Sequence, residues 1–124
     1  MPIADGKTEI PTSPTGKPLF DLGSGVYAEW WRVVDPDHPD YPNDPGRVYG
    51  VVEHHWCVST EEIVPGVTEY WSMGSVPTME SAPVKWTIEA GQPESFDGLT
   101  LSPSILCKRC GLHGWIRDGR WVPA

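Results

Sequence analysis

The sequence predicts an all-β fold, a small antiparallel sheet or sandwich-like domain, on three observations. It holds 13 Gly and 14 Pro, 27 of 124 residues, well above the usual combined share of roughly 12 %, which favours turns over long helices. Short runs rich in β-branched and aromatic residues recur from Leu19 to the C-terminus, and such residues fit a pleated, half-buried surface. No stretch sustains the 3.6-residue apolar period of an amphipathic helix.

Residues 1–18 scatter Pro2, Pro11, Pro14 and Pro18 among Thr, Gly, Lys and Asp. A segment of that composition has no apolar face to bury and favours extended geometry, so an N-terminal arm is expected. The length allows one domain beyond it, residues 19–124. The first predicted strand is Val26 to Val34, which carries the adjacent Trp30-Trp31. In a strand those two rings face opposite sides, so a second layer or a partner is needed to cover both. Asp35 to Gly46 contains four Asp and reads as a stiff solvated loop, because Asp40 and Gly46 occupy the places where a calcium loop needs Gly and Glu. Val48 to Val58 is the second strand. Thr60 to Val64 could form one helical turn before Pro65. Further strands are expected at 69–73, 84–88, 99–101 and 104–106. Residues 99–124 close the domain with a knuckle and a terminal hairpin, Trp115-Ile116-Arg117 and Arg120-Trp121-Val122, joined by Asp118-Gly119, since both turn positions need positive φ.

Charge narrows the partners. Acidic side chains outnumber basic ones 17 to 9, which disfavours nucleic acid and anionic membrane as partners. No apolar run approaches the roughly 20 residues of a membrane span. Met1 to Asp5 lacks the charged-then-apolar pattern of a signal peptide, and three cysteines are an odd number, so thiols or a metal are expected rather than a disulfide scaffold.

Cys107-Lys108-Arg109-Cys110-Gly111-Leu112-His113 carries the most chemistry. Two thiolates three positions apart grip one ion if the backbone between them turns tightly, and Gly111 lets that turn close. His113 offers a third ligand. A tetrahedral structural zinc site needs a fourth, and Cys57, in Glu53-His54-His55-Trp56-Cys57, is the remaining cysteine. The expected zinc ligands are therefore Cys57, Cys107, Cys110 and His113, with His55 as runner-up because a strand places it on the face of Cys57. A redox dithiol would open a helix, and here Gly111 and a hairpin follow. A catalytic zinc would keep an open position and a general base beside it; no His-Glu-x-x-His helix exists, so no catalytic residue is expected.

Three segments, Trp86-Thr87-Ile88, Leu99-Thr100-Leu101-Ser102-Pro103-Ser104-Ile105 and Cys110-Gly111-Leu112-His113-Gly114-Trp115-Ile116, with the Asp118-Gly119 turn, resemble a family of small uncharacterised phage and prophage proteins. The likeness covers about a third of the chain. It implies a phage origin and a zinc site, and no reaction. On that basis the expected function is a non-enzymatic virion component, a minor tail or capsid-associated protein, located in the virion after synthesis in the bacterial host cytoplasm. Its partners would be other virion proteins or copies of itself. Two alternatives come from other classes: a carbohydrate- or host-surface-binding module using exposed Trp, and a phage-encoded zinc hydrolase.

Overall fold

A computed structural model describes residues 18–32, 48–62, 64–79, 84–92 and 95–124, with Thr12, Gly16 and Ala82 besides. The chain is all-β, and no helix occurs among the described residues. The first sheet runs β1 (Phe20–Gly23), β2 (Val26–Arg32), β3 (Val48–Val58) and β4 (Glu69–Pro77) in that spatial order, every pair antiparallel. A two-stranded ribbon pairs β5 (Thr87–Ala90) with β6 (Thr100–Ser102). A three-stranded sheet joins β7 (Ile105–Leu106), β8 (His113–Arg117) and β9 (Arg120–Pro123).

Alternation along the strands decides what faces the core. Val26, Ala28 and Trp30 of β2, Val51 of β3 and Val76 of β4 point to one side of the first sheet, where they meet Leu99, Leu101, Ile105, Ile116 and Trp121. Leu99 and Ile116 are fully buried, and burying side chains of this size stabilises the fold by roughly 2–3 kcal/mol each. Trp30 stacks on Phe96, whose ring also stacks on Phe20, whereas Trp31 leans on Tyr49. The adjacent tryptophans thus serve opposite faces, and the second layer is supplied by the C-terminal strands.

The terminal hairpin turns at Asp118 (φ 52°) and Gly119 (φ 71°), the two positive values that its sequence predicts. Gly114 is required for close approach. A Cβ there would lie 2.5 Å from the Val122 carbonyl oxygen and 2.8 Å from the Trp121 ring.

Several boundaries differ from expectation. β4 extends to Pro77, because its whole length pairs with β3. Val84 and Lys85 precede β5 rather than belonging to it. The helical turn expected at Thr60 to Val64 is replaced by an isolated bridge between Val64 and Val67, the chain reversing at Pro65-Gly66. The Asp35 to Gly46 loop lies outside the described residues. So does the expected arm, residues 1–18, apart from Thr12, Gly16 and Pro18, of which Thr12 and Pro18 form a bridge.

Candidate active site and metal centre

β3 runs through the middle of the first sheet, so its residues alternate between two covered faces. His54 and Trp56 point to the outer face, where His54 Nε2 meets Glu29 Oε2 at 2.7 Å and Trp56 contacts Trp71. Glu53, His55 and Cys57 point inward and are buried. Facing them is the 107–112 turn, which leaves β7 and returns as β8. Its backbone closes through Cys107 N–H donating to the Leu112 carbonyl at 2.8 Å and Gly111 N–H donating to the Cys107 carbonyl at 2.8 Å. Gly111 sits at φ 83°, a conformation that β-carbons disfavour.

This arrangement brings ligand atoms of His55, Cys57, Cys107 and Cys110 within 4.8 Å of one another. Cys57 Sγ lies 3.8 Å from Cys107 Sγ, and Cys110 Sγ lies 3.4 Å from His55 Nε2. Tetrahedral bonds of zinc length would set sulfur–sulfur edges of about 3.8 Å and sulfur–nitrogen edges of about 3.5 Å, so the donor set fits such an ion. The other nitrogen of His55, Nδ1, is held at 2.6 Å by Glu53 Oε2, itself buried. That carboxylate fixes the ring so that Nε2 faces the thiols. All three predicted cysteines are therefore together, and the histidine that joins them is the runner-up, His55.

The electrostatics of the metal-free cluster are those of ligands held in low dielectric. Burial pulls the His55 imidazole down, but the hydrogen bond and charge of Glu53, then the Cys110 and Cys107 thiols, carry it up to about 9. Burial pushes the Cys57 thiol up to about 12, reinforced by Cys110 and Cys107. Burial also opposes the Cys107 thiolate, yet the amides of Cys110 and Arg109, with the Cys110 and His55 side chains, bring it down to about 7.

His113 stands elsewhere. It opens β8 on the exposed face of the third sheet, opposite Leu106, and its Nε2 lies 2.8 Å from Ser104 Oγ. Ser104 immediately precedes β7, so the hairpin that contains the knuckle also carries this pair, one member on each side. The Ser104 backbone is tied by Trp86, whose Nε1–H donates to its carbonyl at 3.3 Å. The Trp115 ring stacks on the imidazole with centroids 6.0 Å apart, and the Arg117 guanidinium lies 4.6 Å above Trp115. Among the described residues no carboxylate is hydrogen-bonded to His113. A hydroxyl hydrogen-bonded to an imidazole is the minimal unit of nucleophilic catalysis.

Sequence reasoning assigned His113 to the knuckle by spacing and overlooked Ser104. The signal was present: an antiparallel hairpin around residues 107–112 places side chains of matching parity on one face. The seven tryptophans, which the carbohydrate-binding alternative needed exposed, are all buried or half-buried.

Residues 34–124 match the family described as the bacterial ubiquitination-like system serine protease, BubE, and the chain belongs to that family. No curated protein and no solved structure matches it. The family overturns three expectations and two alternatives. A serine protease family is enzymatic, so the non-enzymatic reading fails. A bacterial ubiquitination-like system is not a virion, so the structural tail or capsid role and the virion location fail with it. The carbohydrate-binding and zinc-hydrolase alternatives give way to the same finding. The expectation of no catalytic residue looked for catalysis only at a metal.

Proposed function

We propose that the protein is a serine peptidase of a bacterial ubiquitination-like system, with Ser104 as nucleophile, His113 as general base and acid, and a structural zinc ion held by His55, Cys57, Cys107 and Cys110. The observation that carries this reading is the 2.8 Å contact between Ser104 Oγ and His113 Nε2 in a chain of a serine protease family.

The chemistry follows from that contact. As Ser104 Oγ bonds to the substrate carbonyl carbon, its proton passes to His113 Nε2. The C–N bond then breaks, and the departing amine takes that proton, leaving an acyl ester on Ser104. Water gives its proton to the same nitrogen while attacking the ester, and the C–Oγ bond breaks as Ser104 is reprotonated. Positioned acid–base catalysis of this kind contributes about 10²–10⁴-fold. In a triad a carboxylate orients the imidazole; here the Trp115 ring, itself capped by Arg117, restrains it from one side.

Zinc has no part in these steps. Cys107 directly follows Leu106, which faces His113, and the ion clamps the turn between them to β3. The metal therefore fixes the hairpin register that brings Ser104 to His113. Labelling with a fluorophosphonate, followed by peptide mapping, tests the assignment. The expected adduct is on Ser104, absent in Ser104→Ala; no adduct on Ser104 of folded, metal-loaded protein would overturn it.

A further inference from the structure

The hydrogen-bond phase of two strands leaves main-chain groups aimed into one cleft. In the third sheet Cys107 N–H donates to the Leu112 carbonyl. Bonded and non-bonded pairs alternate in an antiparallel ladder. The facing pair Leu106 and His113 is thus non-bonded, and the N–H and C=O of Leu106 point away from β8. His113 agrees with this, since its carbonyl accepts from Ala124 N–H on the opposite side. The same reasoning applies to β4. Thr78 N–H donates to the Tyr49 carbonyl and Ser59 N–H to the Thr68 carbonyl, so Ser75, opposite Val52, is non-bonded and its main chain points outward. β4 and β7 are the edges of their sheets. Ser75 and Leu106 are both exposed, and among the described residues nothing hydrogen-bonds to their outward groups.

Both edges line a single cleft of about 230 Å³, with Gly74, Trp86 and Ile105 among its walls. Its ionisable lining side chains are Glu53 and His55, already paired with each other, and Cys107 of the thiol cluster. Trp86 ties the cleft to the reacting centre, because it also holds the Ser104 carbonyl. Leu106 stands two positions from Ser104 on an extended chain, about 7 Å along the strand.

We propose that this cleft binds the extended polypeptide segment beside the scissile bond, the substrate adding as a strand between the edges and pairing its main chain with Leu106 and Ser75. The inference rests on Ser104 being the nucleophile. Free strand edges recruit extended peptides through their backbone. The narrow walls, with Gly74, Val76, Trp86 and Ile105 between the edges, select small or apolar side chains where the segment passes between β4 and β7. Bulky residues are excluded there.

Quenched-fluorescent octapeptides and acetyl-phenylalanine ethyl ester separate this proposal from the one beneath it. On the wild-type protein, N-methylating the backbone amide two residues from the scissile bond of the best octapeptide should lower kcat/KM at least tenfold, chiefly through KM. In Leu106→Pro, which removes the outward N–H, the preference for octapeptide over ester should fall at least tenfold. Leu106→Ala, which keeps it, should retain most of that preference. Equal cleavage of methylated and unmethylated octapeptides, or no preference for octapeptide over ester in the wild type, overturns the cleft as a substrate site. Failure of fluorophosphonate to label Ser104 instead overturns the nucleophile and the cleft with it.

Discussion

Glu53 and His55, two positions apart on β3, are joined at 2.6 Å between Oε2 and Nδ1, so the nitrogen of His55 that faces the thiols is chosen by a carboxylate outside the cluster. Removing that carboxylate's charge while keeping its shape should loosen the ion without removing a ligand. Glu53→Gln is expected to lower zinc affinity about 10–100-fold, measured by competition with a chromogenic chelator.

The two histidines separate cleanly. His55→Ala should release the metal and cost most of the fold's stability, because structural zinc contributes on the order of 10 kcal/mol in small domains. His113→Gln should keep one zinc per chain by elemental analysis and lose activity. The reverse pattern would return His113 to the ligand set.

Ser104→Ala and His113→Gln should each lower kcat/KM on the order of 10³-fold or more. Groups that act as one unit are strongly non-additive. The double variant should therefore be little worse than either single one, and multiplicative losses in a peptide-cleavage assay would argue that the two residues act separately.

Metal retention should fall with acid. His55, raised to about 9, and Cys57, raised to about 12, both hold protons near neutrality in the metal-free chain, and the ion must displace them. Proton competition of this kind makes affinity increase with pH. These two protons alone give at least about 100-fold per pH unit below pH 9, and protonation of Cys107, whose thiol sits at about 7, steepens the fall below that value. Affinities measured between pH 6 and 8 check the slope; a flat profile would exclude these ligands.

Gly114→Ala should destabilise the protein by about 1–3 kcal/mol, the usual cost of overpacking, because backbone of β9 stands 2.5 Å from the new carbon. Denaturant titration measures the loss. Gly114 adjoins His113, so peptide cleavage should decline as well.

The all-β class was legible because strand signals are local: alternation fixed the faces of His54 and His55, and Asp118-Gly119 marked its hairpin. The cysteines were legible by count and spacing. The fourth member of the cluster was not, because Cys110 and His113 lie three apart in sequence while His55 reaches the thiols only through the packing of β3 on the 107–112 turn. Ser104 was hidden for a related reason. A serine after a proline carries no signature of its own, and its partner is nine residues away on the opposite strand.

The turn that bridges β7 and β8 contributes Cys107 and Cys110 to a cluster completed by His55 and Cys57 from the chain's midpoint. If an ion braces that cluster, a chain emerging from the ribosome would hold the Ser104 hydroxyl and the His113 imidazole in register only after these distant segments have met. On the proposed assignment, competence to cut peptide bonds would be withheld until that turn has packed on β3. For a peptidase, that order of assembly would work as a safety catch.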